Sequence, residues 1–312
     1  MTARSEARAA WMLVAVTALW GVSFTWTKGW QLAARESPGG ELLASLTLIS
    51  LRMPAALLLL GLWQPRVLRG PTRQEHLGGM VLGAVFFAGF VLQTWGLAWT
   101  TPALSAFFTS LCNAWAPLLG WALLREKVAP LTLLGLLLAL VGCAALVDGW
   151  NVGRGEWLTV AASVFFAVQL LVLDRLGKAL EPAHLTAGFL EGTAGLALAG
   201  ALLVAASDCG VGAWLAWLGA MLSRPDVLVS VLCQAVFATA LAFHWMNMYQ
   251  PLISPARAPL IYLLEPIFTS VFSIAWGHDT LTRPLVVGGA LVLGGNLLAE
   301  LPRLLPVWRK AR

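Results

Sequence analysis

Charged side chains are scarce in this 312-residue chain: Lys, Arg, Asp and Glu make up 11% of it, where a soluble domain carries about 25%. That excludes an ordinary water-soluble fold. Cysteine is scarce too. Cys112, Cys143 and Cys233 fall within apolar runs and Cys209 in a loop, which gives no disulfide framework and reads as small buried hydrophobes. Enzyme motifs are missing. The chain has no His-Glu-x-x-His, no P-loop, no paired aspartates for a diphosphate and no Gly-x-Ser-x-Gly. Gly210-Val211-Gly212 lacks the third glycine of a dinucleotide loop. No cluster of acids or histidines gathers at one membrane face, which counts against a lipid-modifying membrane enzyme. The reading is of a chain that performs no chemistry and needs no cofactor or metal.

What is abundant is apolar sequence: 59% of residues are hydrophobic and the mean hydropathy is +0.79. Ten runs are long enough to cross a hydrocarbon layer of about 30 Å. They cover approximately 10–31, 43–63, 77–98, 103–124, 130–148, 156–174, 184–206, 227–249, 256–277 and 284–301. Their length and lack of strict alternation predict helices rather than a barrel, so the fold class is all-α integral membrane. The first run is too long for a cleaved signal peptide and is read as an uncleaved first span.

Basic residues set the orientation. With the N-terminus inside, the inner segments hold Arg4, Arg8, Arg66, Arg69, Arg73, Arg125, Lys127, Arg175, Lys178, Arg257, Arg303, Arg309, Lys310 and Arg312, and the outer loops only Arg35, Arg154, Arg224 and Arg283. Both termini are therefore expected in the cytoplasm. The net charge of +5 is mostly this asymmetry, and no nucleic-acid partner is implied. The outer segment 207–226, with Trp214, Trp217 and Leu218, predicts an interfacial helix, a solvated loop being the alternative.

A constant offset runs through the chain. Thr101-Pro102-Ala103 recurs as Ser254-Pro255-Ala256, 153 positions later, and the same offset pairs Glu126 with Asp279, Gly135 with Gly288 and Gly142 with Gly295. Such an offset marks an internal repeat. Ten spans divide as five plus five, and an odd number per unit inverts the second copy. We therefore expect two inverted five-helix repeats, 1–150 and 151–312, with the binding site between them. The glycine pairs of spans 5 and 10 recur at two helical turns and predict that these helices pack on each other. Trp20-Gly21 in span 1 corresponds to Phe166-Ala167 in span 6, and eight residues on Lys28 corresponds to Asp174; Arg52 and Glu191 occupy similar places in spans 2 and 7.

Four stretches carry a family resemblance: Leu19-Trp20-Gly21-Val22-Ser23-Phe24 ending at Lys28; Leu48 through Ala56; Thr100-Thr101-Pro102-Ala103 through Ala116-Pro117 to Arg125-Glu126-Lys127; and Leu263-Leu264-Glu265-Pro266-Ile267-Phe268. Together they resemble the drug/metabolite transporter superfamily, EamA type, over roughly 10–301. Its members include amino-acid exporters of the YddG kind and carriers of nucleotide sugars and sugar phosphates. The resemblance implies a ten-helix exporter with spans 1, 3, 4, 6, 8 and 9 around a central cavity. It implies an inner-membrane location and a small-molecule substrate. Two departures stand out. Gly277-His278-Asp279-Thr280 replaces the usual Gly-Glu-Arg, and span 1 lacks the proton-binding Glu of the small multidrug members.

Ionisable groups inside a bilayer mark function by default. Lys28, Arg52, Glu191 and Glu265 lie well within spans. Glu265, before Pro266, suits a substrate ammonium or a proton, or else packs helices. Lys28 suits a substrate carboxylate, or else snorkels to headgroups. Arg52 and Glu191 are read as peripheral, in a structural ion pair or on lipid headgroups. His244 with Asn247 forms an i, i+3 polar pair on span 8, either a proton relay or a satisfied neutral pair. Gln93, Asn113, Gln169 and Tyr262 offer polar contacts from four cavity spans, or interhelical glue. Trp20, with Ser23 on the same side, offers an aromatic wall, and Phe166 is its mate in span 6; core packing is the alternative. Trp11, Trp30, Trp63, Trp99, Trp150, Trp157 and Trp308 read as interfacial anchors. Prolines 102, 117, 255, 259 and 266 in or beside spans 4 and 9 predict bending there.

These readings combine as an exporter of small organic solutes, amino acids first, working by alternating access on a substrate or proton gradient. Carriers of phosphorylated sugars or nucleotides, drug carriers and lipid flippases are the alternatives. Under the offset, Glu265 aligns with Cys112 and Pro266 with Asn113, and this break in symmetry is the expected place for substrate.

Overall fold

Backbone amides in hydrocarbon must be paired within their own segment, so the long apolar runs fold as helices. A computed structural model describes residues 3–68, 70–125, 128–147, 152–177, 179–253 and 257–304. Span 1 is α1 (Ala3–Ala33), span 2 is α2 (Gly40–Trp63) and span 3 is α3 (Arg73–Gly96). Span 4 is split into α4 (Pro102–Thr109) and α5 (Cys112–Leu124). Then follow α6 (Pro130–Leu146), α7 (Arg154–Leu176), α8 (Pro182–Asp208) and the short α9 (Val211–Leu222). Span 8 comprises α10 (Pro225–Cys233), a π-helical stretch (Gln234–Leu241) and α11 (Ala242–Tyr249). Span 9 is split into α12 (Ala258–Tyr262) and α13 (Glu265–Ala275), and α14 (Arg283–Leu304) is span 10. Among the described residues nine of the expected spans are long and apolar enough to cross a membrane, and α6, a shorter apolar helix of 17 residues, stands at the place of the remaining one. The protein is a multi-pass membrane protein.

Local sequence explains the ends. Thr72 and Glu75 form a reciprocal capping box at the start of α3. Thr101 caps α4, and Pro102, Pro130, Pro182 and Pro225 open their helices where a missing N–H costs nothing.

Helix α6 packs closely on α14, as the glycine spacing predicts. A Cβ on Gly135 would stand 2.5 Å from the Gly295 carbonyl oxygen, and one on Gly142 would stand 2.8 Å from that of Gly288. The pairing is antiparallel. Exchanging each residue for its mate at offset 153 returns the same two contacts, so an approximate two-fold axis passes between these helices.

The two broken spans obey the same offset. Span 4 is interrupted at Ser110-Leu111 and span 9 at Leu263-Leu264. The expected bending at proline holds only in part. Pro266 opens α13, but Pro117 lies within α5, well past the break. The mates Ser254-Pro255-Ala256 and Glu126 lie outside the described residues, as do Trp150 and Trp308.

Candidate functional site

The membrane face that carries the start of α1 is called the near face, the other the far face. Three side chains tie spans 1 and 9 to spans 3 and 4 at the far face. The Lys28 ammonium donates to the carbonyls of Leu97 and Thr100 at 2.8 Å and of Ala98 at 3.3 Å. Gln31 Nε2 donates to the Thr94 carbonyl at 2.8 Å. Asp279 Oδ2 accepts the Ala103 amide at 3.0 Å, at the first turn of α4. Near-face bonds run elsewhere: His244 Nδ1 with Gln64 Oε1, Asn247 to Thr186, Arg257 to Glu6, and Glu75 with His184. These join spans 8 and 2, 8 and 7, 9 and 1, and 3 and 7.

Lys28 is therefore not snorkelling, and its donors rest on the carbonyls that end α3, where a cation complements the helix dipole. Both members of the His244 and Asn247 pair reach neighbouring helices rather than each other.

Between the two faces the broken spans bring predicted residues together. Glu265 is the first residue of α13 and Cys112 the first of α5, so the aligned pair occupies equivalent half-helix starts. Asn113 Nδ2 donates to the Ser110 carbonyl at 3.2 Å, bracing the break in span 4. Tyr262 ends α12 and donates to Gln250 Oε1 at 2.7 Å. Its ring lies 5.5 Å from that of Trp20, which also meets Phe243 at 6.1 Å. Ser23 donates to the Trp20 carbonyl. Phe166 sits apart from this group, against Phe86 at 5.7 Å, and Gln169 is half-buried on α7. Gly21 lets α1 lie against α13, since a Cβ there would stand 2.8 Å from Phe268 Cβ.

Nearer the far face, a cavity of about 20 Å³ lies between α1 and α3, lined by Ser23, Phe24, Thr27, Phe90, Gln93 and Thr94 among others. It has room for a water. Gln93 Nε2 donates to Thr109 beside it. A larger cleft of about 310 Å³ opens between α1 and α10, with Trp26, Trp276, Asp226 and His278 on its walls.

Arg52 departs from expectation. It faces inward, 5% exposed, and bonds span 8 rather than Glu191, which lies 3.5 Å from His76. Its Nε donates to Thr239 Oγ1 at 2.6 Å and its Nη1 to Gln234 Oε1 at 3.3 Å. A cation at the centre of a span costs about 2.5–3.5 kcal/mol on the insertion scale. The acceptors come from the π-helical stretch, whose widened turn lets Thr239 donate to the Gln234 carbonyl five residues back. The sequence flagged Arg52 as an intramembrane charge but not Thr27, Gln234 or Thr239, which look like any polar residues in a span.

One expected membrane anchor and one tryptophan of the expected interfacial helix also turn inward. Trp30 is 1% exposed and donates to the Ala44 carbonyl. Trp214 donates to Thr47 from α9, so this helix is fastened to α2. Trp11 and Trp157 are exposed, as anchors require.

The profile of the EamA-like transporter family matches residues 7–147 and again 153–300. An uncharacterized transporter of Archaeoglobus fulgidus is 26% identical over 225 residues, covering 72% of this chain and 68% of its own. A solved crystal structure resembles this one with a TM-score of 0.62 at 18% identity, over 94% of this chain and 96% of its own. At that identity the likeness is one of fold.

Proposed function

We propose that this chain, which belongs to the EamA-like transporter family, exports amino acids or similar small organic solutes by alternating access. The carrying observation is the pair of matched breaks at 110–111 and 263–264. Ser110, Leu111, Leu263 and Leu264 keep right-handed helical angles, so each break is a tightened turn, and irregular helices at equivalent places in two repeats are where many transporters bind their cargo. Glu265 stands at one of them, the first residue of α13. It is the partner for a substrate ammonium. Trp20, Tyr262 and Phe243 supply an aromatic wall for the side chain, and a Trp face attracts cations. Asn113 and Gln169 complete the polar lining.

The far-face tethers of Lys28, Gln31 and Asp279 support a rocking cycle in which they release as the near face closes. The excess of basic residues in the near-face segments supports a cytoplasmic near face, with the chain in the inner membrane of a cell. A carrier of phosphorylated sugars would need two or three free cations, whereas the Lys28 donors are engaged. The cleft between α1 and α10 favours a lipid flippase as the second reading.

Uptake into proteoliposomes of a panel of labelled amino acids, with and without a pH gradient, tests the proposal. Saturable flux of at least one amino acid is expected, cut at least tenfold in E265Q. No saturable flux of any amino acid, together with scrambling of a fluorescent lipid, would select the second reading.

A further inference from the structure

Arg52 is the charged group to which that reading gives no task. Among the described residues no carboxylate pairs with it. A guanidinium presents five N–H donors in a planar fork that matches a carboxylate. Here its acceptors are three neutral oxygens in different directions. The bonds to Gln234 Oε1 and to the Ala238 carbonyl are long, at 3.3 Å and 3.4 Å. Its face stacks over Phe90 at 5.2 Å.

Gln234 Oε1 also accepts the Thr27 hydroxyl at 2.9 Å. One neutral oxygen thus stands between the guanidinium and a side chain that lines the small cavity of α1 and α3. Two buried polar atoms here have no partner: Gln234 Nε2, and the hydroxyl of Thr94, which also lines the cavity. Rotating the Gln234 amide would turn its N–H group toward the guanidinium, so the orphan donor is forced. Arg52, Gln234 Nε2 and Thr94 all offer hydrogens. What they lack is a group that only accepts and does so several times over, which describes a carboxylate.

We infer that the seam between spans 1 and 3 is a carboxylate subsite, in which the anion displaces the Gln234 amide oxygen from Arg52 and takes hydrogen bonds from Arg52, Thr94 and Gln234. This rests on the transporter reading above and narrows its cargo to solutes bearing a carboxylate. The subsite is a separate station from Glu265. Gly21 meets Phe268, and Thr27 is six residues further along α1, about 9 Å at helical rise. Glu265 lies almost a turn of α13 in the other direction. The two charges are too far apart for the two ends of one α-amino acid, so the substrate meets them in turn. The cavity walls belong to the spans that Lys28 and Gln31 tie together, so release of those tethers widens a water-sized space to ligand size.

Equilibrium dialysis of the detergent-purified full-length protein, with labelled benzoate and the near-isosteric neutral benzamide, tests the subsite. The wild type is expected to prefer benzoate at least tenfold. R52Q should lose that preference, R52K should keep part of it, and T94V should weaken benzoate several-fold with benzamide unchanged. T94V removes only an unpartnered hydroxyl, so it keeps the test open if R52Q fails to fold. A wild type without preference overturns the proposal, as does a folded R52Q or T94V that binds benzoate as the wild type does. Proteoliposomes that carry no amino acid, alongside Arg52-dependent benzoate binding, would sink the amino-acid reading and leave the subsite standing.

Discussion

Asp279 accepts the backbone amide of Ala103 at 3.0 Å, so one carboxylate both caps a half-helix of the first repeat and anchors the loop that ends span 9. Ser273 donates to the same oxygen. Capping and anchoring are therefore one interaction.

D279A is expected to separate the two effects. Loss of a cap costs about 1 kcal/mol, a fall of a few degrees in the melting temperature in detergent. Loss of the tether should also let a cysteine placed at Thr101 react several-fold faster with an impermeant maleimide added from the far face. Equal labelling rates would leave Asp279 as a cap alone.

The α6 and α14 interface predicts opposite results for two glycines. G135V puts atoms where the Gly295 carbonyl and the Ala299 amide stand at 2.5 Å from a Cβ. The backbones must move apart, and we expect a loss of about 3 kcal/mol, at the upper end for overpacking. At Gly294 the nearest atom to a Cβ is 3.9 Å away, so G294A should be neutral or gain up to about 1 kcal/mol from helix propensity. Thermal unfolding of the two variants checks this, and similar melting temperatures would contradict the packing argument.

His278, in the far-face loop between spans 9 and 10, has its pKa lowered by burial and by the nearby Lys28 charge, with Asp279 acting the other way. The unfolded chain therefore takes up the proton first. The stability His278 contributes is whole above the ordinary histidine value of about 6.5 and falls away as pH drops through its lower folded value. The melting temperature of the wild type should decline more steeply than that of H278Q as pH falls below about 6.5. Parallel profiles would assign the decline to other groups.

Much of the fold was legible because hydropathy and repeat spacing act over whole segments. Gly135, Gly142, Gly288 and Gly295 declared their interface through spacing alone. The site was legible only in part. Glu265 and Cys112 align in sequence and stand at equivalent half-helix starts. The breaks before them fall at Ser110-Leu111 and Leu263-Leu264, where span 4 has no glycine or proline to announce it. Lys28 was recognised as a buried cation, but its partners are backbone carbonyls, which every residue carries and no pattern distinguishes.

The sequence by itself determined that this chain spans a membrane many times and is built from two copies of one unit. Apolar length and repeat spacing suffice for that, because the bilayer imposes the first on each segment separately and duplication preserves the second. Only the tertiary structure decided which way the buried charges point. In a lipid-embedded protein the face toward lipid and the face toward protein are both apolar, so periodicity does not mark the inside. Arg52 could have met Glu191, lipid or the core from its sequence position. Packing of α2 against the π-helical stretch of span 8 turned it to Gln234 and Thr239, beside the small cavity between α1 and α3.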